Sequence, residues 1–131
     1  MIDEGRPLFL QIAEEVEDSV VGGSLVDGDR APSTNELAAF YRINPATAAK
    51  GINVLVDRGI LVKRRGIGMF VADGARARLR DERRTVFADR YIQPLLAEAR
   101  TLGLTPDDLA RLVRERAADE QTDHRPEGTD R

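Results

Sequence analysis

The stretch STNELAAFYRINPATAAKG, residues 33–51, decides the fold of this chain because it contains two helix starts only a few residues apart. At its beginning, Ser33 is followed three residues later by Glu36, which is the spacing of a capping box. In a capping box each side chain bonds the backbone N–H of the other residue, so that two unpaired donors of the first turn are satisfied. The pattern predicts a short helix over residues 34–41.

The second helix start is Asn44 followed by Pro45. Asparagine is a preferred N-cap residue, and proline loses nothing at the first helical position, where its missing N–H would have no helical partner. These signals predict a helix over residues 45–58. Placed on a helical wheel, it has an apolar stripe of Ala48, Ile52, Leu55 and Val56 and an opposite side of Ala46, Lys50, Asn53 and Asp57. Because only two residues separate the two helices, the stretch predicts a helix-turn-helix.

The segments on either side complete a small domain. Before the helix-turn-helix, apolar residues recur at helical spacing over residues 7–21, which predicts an amphipathic helix. After it, residues 60–72 read ILVKRRGIGMFVA, two short β-prone runs with a glycine-containing turn between them, which predicts a hairpin. The hairpin is interpreted as a wing whose tip carries Arg64, Arg65 and Gly66. We therefore expect a winged helix-turn-helix domain over residues 1–74.

From Ala75 onward the composition changes, and the chain is charged and rich in arginine. Residues 75–118 predict a long charged helix, kinked or split by Pro94, and a last short helix that begins with Thr105 as its cap. The tail, residues 119–131, has almost no apolar residue and is expected to be disordered. The predicted fold class is mainly α with a small β-wing.

Composition limits what this chain can do. The net charge is −3, yet residues 42–65 carry six basic residues against a single acid, Asp57, so a polyanionic partner is compatible with the acidic total. The single histidine, His124, lies in the predicted tail, and the chain has no cysteine. We therefore expect no enzyme, no metal site and no cofactor. No apolar run approaches the ~20 residues of a membrane span, and the expected location is the cytoplasm.

The first turn of the helix at residues 45–58 has the chemistry of a helix that enters the DNA major groove. Small residues let the backbone approach, Asn44 and Thr47 can hydrogen-bond phosphates or bases, Ala46 suits a thymine methyl, and Lys50 suits guanine or phosphate. Taken separately, the first turn is better explained as an ordinary capped helix, and the basic wing as a solvated hairpin whose charges protect its edge. Their occurrence in one continuous block favours DNA binding.

At this point the sequence resembles the GntR-type winged helix-turn-helix regulators of bacteria. The resemblance rests on Gly22, Gly23, Leu25, Gly28, Asp29, Arg30, Pro32, Ser33, Glu36, Leu37, Ala38, Ile43, Asn44, Pro45, Thr47, Leu55, Gly59, Arg65, Gly66, Gly68, Phe70 and Val71. Members of this family bind operator DNA as dimers. Carried over by position, the resemblance implies DNA contacts by Ser33, Thr34, Asn35, Asn44, Ala46, Thr47, Lys50, Arg64, Arg65 and Gly66. Gly51 stands where alanine is common, and we expect it to weaken its helix by up to ~1 kcal/mol.

Only about sixty residues follow the wing, too few for the enclosed ligand pocket of most family members, and the region looks like the helical dimerisation element of the YtrA-type subfamily. The residues expected to form a homodimer interface are Leu79, Val86, Phe87, Tyr91, Leu95, Leu96, Leu109 and Leu112. The alternative is that these residues pack back on the winged domain.

A twofold dimer would require a palindromic operator. The resemblance to the subfamily implies that the regulated genes are often those of transporters. We predict that the chain is a transcriptional repressor. The alternative to DNA binding is a winged-helix module that assembles with other proteins and does not read DNA, because this fold serves both functions. The residues identify no effector.

Overall fold

The computed structural model describes residues 5–123. In chain order its elements are α1 (Leu8–Gly22), α2 (Thr34–Tyr41), α3 (Pro45–Asp57), β1 (Leu61–Arg64), β2 (Gly68–Val71), α4 (Ala75–Phe87), a π-helical segment (Ala88–Ile92), α5 (Gln93–Thr101) and α6 (Pro106–Asp123). The predicted fold class is confirmed, and the first three helices begin and end within one residue of their predicted bounds.

The described residues form two compact units, with the division between Arg84 and Thr85. This division differs from the predicted boundary after residue 74, because the beginning of α4 belongs to the first unit. Ala75 and Leu79 are each only 2% exposed and lie in its apolar core. The carboxylate of Asp27 accepts hydrogen bonds from the backbone N–H groups of Gly74 (2.7 Å) and Arg76 (3.3 Å), which anchors the start of α4.

The core of the first unit forms where α1 packs against α3. Its largest fully buried side chains are Ile12, Val20, Ile52, Leu55, Ile60, Leu61 and Leu79. Gly51 allows this packing, because a Cβ atom at Gly51 would lie 2.8 Å from the backbone oxygen of Phe9. The expectation that Gly51 simply weakens its helix was therefore incomplete: the missing side chain lets the two backbones approach closely.

The turn between α2 and α3 depends on Arg42, which adopts a left-handed conformation with φ of 57°. Its backbone N–H donates to the carbonyl of Ala38, and the N–H of Ile43 donates to the same oxygen at 3.0 Å. These bonds end α2 and allow α3 to begin after two residues. The helix-turn-helix prediction is confirmed.

The wing is an antiparallel pair in which Leu61 faces Val71 and Arg64 faces Gly68. A segment that the sequence did not identify joins it, because Arg30 forms a bridge with Phe70. Next to this bridge, the N–H of Ala31 donates to the carbonyl of Met69 at 2.8 Å. The edge of β2 is therefore covered by the loop that precedes α2.

In the second unit, the helical path continues through Pro94 rather than breaking there. The N–H of Gln93 donates to the carbonyl of Ala88, five residues earlier, and the residues on both sides of the π-helical segment keep right-handed helical angles. The irregularity thus lies one turn before Pro94. A proline provides no N–H for the carbonyl four residues earlier, and wider π-type bonding is a usual way to absorb such a loss.

The last helix is longer than predicted. Thr105 and Asp108 form the expected reciprocal cap, in which the N–H of Asp108 donates to Oγ1 of Thr105 at 3.1 Å. However, α6 continues to Asp123 instead of ending near Ala118. Glutamate and glutamine are good helix formers even without an apolar face, so the predicted start of the tail at residue 119 was wrong. Residues 124–131 of the predicted tail lie outside the described residues.

We expect Ser33→Ala to lower the free energy of unfolding by about 1 kcal/mol, the usual value of an N-cap side chain. The backbone N–H of Glu36 donates to Oγ of Ser33 at 3.0 Å, and the variant leaves this donor without that acceptor. Urea denaturation at pH 7 measures the loss. Ser24→Ala, at an exposed loop serine, is the matched control and should change stability by less than about 0.5 kcal/mol.

The same cap makes stability depend on pH. The backbone N–H and then the side chain of Ser33 hold the pKa of Glu36 below its ordinary value of 4.5. A lowered folded-state pKa means that this contribution is present above pH 4.5 and is lost as the pH falls through the folded-state pKa. The backbone N–H of residue 33 remains in Ser33→Ala, so the variant that tests the carboxylate is Glu36→Gln, and the difference in free energy of unfolding between wild type and Glu36→Gln should shrink in acid. A difference of equal size at pH 7 and at about pH 2 would contradict the role of Glu36.

Candidate nucleic-acid interface

The first turn of α3 presents the small and polar surface predicted from the sequence. Asn44, Ala46, Lys50 and Asn53 are exposed, and Thr47 is half-buried. Oδ1 of Asn44 accepts the N–H of Ala46 at 2.8 Å, so this oxygen caps the helix, and the side-chain amide donors remain for a ligand. The opposite side of the helix is buried in the core. The two predicted sides of α3 are thus separated as expected.

Lys50 does not extend freely into solvent. Its Nζ atom lies 4.3 Å from the centroid of the Phe9 ring, which belongs to α1. This distance is typical of a cation–π contact. The lysine side chain is exposed, but its ammonium group is held against a neighbouring helix, a position that the helical wheel of α3 does not predict.

At the start of α2, the candidate contact residues differ in how available their side chains are to a ligand. Oγ of Ser33 accepts the N–H of Glu36, and the N–H of Ser33 donates to the Glu36 carboxylate at 2.8 Å. Thr34 is half-buried, whereas Asn35 is exposed. Ser33 is therefore occupied mainly with capping, and Asn35 is the member of this group that is most available to a ligand.

The tip of the wing carries two exposed arginines, Arg64 and Arg65, followed by Gly66. The N–H of Ile67 donates to the carbonyl of Arg64 at 2.9 Å and closes the turn. Gly66 has φ of 77°, a conformation that glycine adopts readily. The guanidinium of Arg64 lies 4.5 Å from the centroid of the Phe70 ring, which supports the arginine over β2.

Sequence reasoning missed Arg30 as a candidate contact. A Cβ atom at Gly68 would lie 3.1 Å from Nε of Arg30, so the guanidinium stands beside the wing at this glycine. Arg30 itself is exposed. The only sequence signal was its place in the Gly28-Asp29-Arg30 motif, because its proximity to the wing depends on the bridge to β2.

The positive charge of residues 42–65 is not all available to a partner. Arg58 forms ion pairs with Glu17 of α1 and Glu82 of α4, and its backbone carbonyl accepts a hydrogen bond from Arg78. This arginine therefore holds three helices together. In contrast, Arg42 and Lys63 are exposed and form no ion pair among residues 5–123.

The residues predicted for a dimer interface fall into two groups. Leu79 is 2% exposed within the core of the first unit, which removes it from the predicted interface because its apolar surface is already covered. In the second unit, Val86, Phe87, Tyr91, Leu95 and Leu112 are exposed, and Leu96 and Leu109 are half-buried. The ring centroids of Phe87 and Tyr91 are 5.6 Å apart, so they form a continuous aromatic surface.

Between residues 5 and 123, no group of three or more histidine, cysteine, aspartate or glutamate side chains is arranged to hold a metal ion. Over the same residues, no helix has both the length and the apolar character needed to cross a membrane.

Comparison with known sequences assigns residues 8–71 to a family described as bacterial regulatory proteins, gntR family. The HTH-type transcriptional regulator YhcF of Bacillus subtilis is 30% identical over 104 residues, which span 79% of this chain and 84% of YhcF. The HTH-type transcriptional repressor YtrA of the same organism is 28% identical over 113 residues, 86% of each chain. The similarity therefore continues beyond the wing into the second unit.

Comparison with solved structures gives the same result. A GntR-family transcriptional regulator from Bacteroides thetaiotaomicron has a TM-score of 0.67 at 26% identity, over 86% of this chain and 97% of that one. The DNA-binding domain of AraR, solved in complex with operator ORX1, has a TM-score of 0.50 at 30% identity. It covers 54% of this chain and 87% of the AraR domain.

Proposed function

The chain belongs to the GntR family of DNA-binding transcriptional regulators, and from this premise we propose that it is a repressor that binds a palindromic operator as a homodimer. The family is one of regulators and not of enzymes, which confirms the prediction that the chain is not an enzyme. Membership of the family does not identify the residues that contact the operator, and we assign them from their positions and exposure.

One observation carries the proposal: α3 exposes small and polar residues on the side that does not pack in the core, in the same unit as the two exposed arginines of the wing. The major groove of B-DNA admits one α-helix, and base edges are read there by short polar side chains and methyl contacts. We assign base contacts to Ala46 and Thr47, and phosphate contacts to Arg64 and Arg65. Asn35, exposed at the start of α2, is a further candidate for DNA contact.

The homodimer rests on the exposed apolar residues of the second unit. Phe87 and Tyr91 are 53% and 56% exposed, and Leu95 and Leu112 are each 40% exposed. Apolar side chains of this number on a short helical region gain free energy when a partner covers them. A twofold dimer would bind two half-sites about one helical turn, ~34 Å, apart.

Repression is proposed because the relative YtrA is named a repressor. A dimer bound to an operator blocks access to the DNA that it covers. The control of transporter genes is carried over from the resemblance to the YtrA-type subfamily. Since the proposed partner is bacterial DNA, the proposed location is the cytoplasm.

The experiment is selection of genomic fragments with the purified chain, followed by affinity measurements on the selected duplex at several salt concentrations. We expect log Kd to rise with log salt concentration, because each neutralised phosphate releases counterions. Arg64→Ala/Arg65→Ala should weaken binding about 10- to 100-fold and reduce the salt slope by ~0.9 for each phosphate that is no longer neutralised. A duplex with one half-site should bind more weakly than the full palindrome.

The matched control is Arg114→Ala/Arg116→Ala, which removes two exposed arginines of α6 outside the candidate interface. It should leave the affinity within about twofold of wild type, a difference of ~0.4 kcal/mol. Binding that is insensitive to salt, or the absence of any selected duplex, would contradict DNA binding and favour a protein assembly module. Reporter expression that falls when the gene is deleted would contradict repression.

A further inference from the structure

We propose that Phe9 is a positioning residue for DNA binding, which holds Lys50 where it binds a backbone phosphate rather than a base edge. The inference rests on the proposed function and assigns a role to a residue of α1, outside the helix-turn-helix. It also divides the exposed side of α3 into two regions: its first turn reads bases, and the following turn binds phosphate.

The first step is the contact between Phe9 and Lys50. The Nζ atom of Lys50 lies 4.3 Å from the centroid of the Phe9 ring, so the ring attracts the ammonium group through its negative face. An ammonium group has three N–H donors, and an aromatic face satisfies none of them as fully as an oxygen does. Because Lys50 is exposed, these donors remain available to an anion.

The second step is the rigidity of the ring. Gly51 follows Lys50 and is buried, and a Cβ atom there would lie 2.8 Å from the backbone oxygen of Phe9. The same Cβ would lie 3.4 Å from the side chain of Ile12, about one turn further along α1. The backbone of α1 at Phe9 is thus packed directly against α3 beside Lys50. Helix packing, and not a flexible loop, therefore holds the backbone that carries the ring.

The third step concerns what a lysine in this position can read. Its ammonium group lies 4.3 Å from the centroid of the Phe9 ring, so the lysine is directed toward the neighbouring helix α1. Lysine acts on DNA as a point charge, and phosphate contacts carry no sequence information. A free lysine has a flexible four-carbon stem, and holding it in advance lowers the entropy cost of binding. Phe9 then strengthens binding to every operator sequence equally.

The experiment is a double-mutant cycle on operator affinity with Phe9→Leu, Lys50→Met and the double variant. Lys50→Met should weaken binding about tenfold on every duplex and reduce the salt slope by ~0.9, the value for one phosphate. Phe9→Leu should weaken binding about two- to fivefold when Lys50 is present, and should have no effect when Lys50 is already methionine. Phe9→Tyr keeps an aromatic face and should retain wild-type affinity.

Phe40→Leu is the matched control, because Phe40 lies in the same unit and is 78% exposed. It should leave the affinity unchanged. Circular dichroism and thermal unfolding accompany each variant. Should Phe9→Leu fail to fold, Lys50→Met, at an exposed position, still decides between phosphate and base: equal weakening on operators changed at single base pairs supports the proposal.

Two results would overturn the inference while leaving the regulator intact. If Lys50→Met altered the preference among operators changed at single base pairs, Lys50 would read a base. If Phe9→Leu weakened binding equally with and without Lys50, Phe9 would act only through the fold. A wild-type chain that bound no duplex would instead overturn the proposed function, and this inference with it.

Discussion

Ala46→Glu is expected to weaken operator binding by at least about 100-fold without reducing stability, because like charges brought together at an interface cost several kcal/mol. Ala46 is exposed in the first turn of α3, on the side that we assign to the major groove. A glutamate there brings a negative charge toward the phosphates and fills the space into which the backbone must approach. Fluorescence anisotropy with a labelled operator measures the loss.

Stability should be retained for a separate reason. An acidic side chain in the first turn of a helix interacts favourably with the exposed N–H groups and the helix dipole. Thermal unfolding of Ala46→Glu should therefore occur at or slightly above the wild-type temperature. Loss of binding can then be assigned to the interface and not to the fold.

Ala77→Glu is the matched control. Ala77 is also exposed and lies in the first turn of α4, so the variant makes the same change of residue and of net charge outside the candidate interface. We expect it to bind the operator within about threefold of wild type, a difference of ~0.7 kcal/mol. If Ala46→Glu bound as tightly as Ala77→Glu, α3 would not be the groove-binding helix.

Ile52→Ala is expected to have the opposite effect. Ile52 is 1% exposed on the core side of α3, and its truncation removes buried apolar surface and leaves a cavity. Such substitutions lower the free energy of unfolding by about 2–5 kcal/mol. Since domains are stable by only ~5–15 kcal/mol, this is a large share of the total. Urea denaturation of the whole chain, followed by far-ultraviolet circular dichroism, measures the change.

The control is Ile67→Ala, which removes the same atoms from a side chain that is 62% exposed in the wing turn. It should change stability by less than about 0.5 kcal/mol. If Ile52→Ala lowered the free energy of unfolding by less than about 1 kcal/mol, the core around α3 would have to relax into the cavity. That result would contradict the close packing inferred from Gly51. Together, the Ala46 and Ile52 variants separate the two sides of one helix.

The sequence by itself determined the local elements of the first unit. The capping box of Ser33 and Glu36 and the Asn44-Pro45 start of α3 act over no more than a few residues, so their bonds can be predicted without knowing the fold. The same holds for the cap of α6, formed by Thr105 and Asp108. Helical periodicity likewise separated the buried from the exposed side of α3.

Where the sequence offered no strong stop signal, prediction was less accurate. The end of α6 was placed too early, because a helix that is polar on all sides has no apolar stripe to mark its end. The irregular turn at Ala88–Ile92 precedes Pro94, since the effect of a proline falls on the carbonyl four residues before it. The error at α6 concerns how far the helix extends, not whether it exists.

Only the tertiary structure decided which charged side chains remain available to bind DNA, and which small residues the packing of the helices requires. Arg58 is paired with acids of α1 and α4, Lys50 is held by Phe9, and Leu79 is buried in the first unit. Each of these results joins residues that are distant in the chain. Helical spacing gives the direction of a side chain from its own helix, but contact with another helix depends on how closely the backbones pack. At Gly51 that distance leaves no room for a Cβ atom.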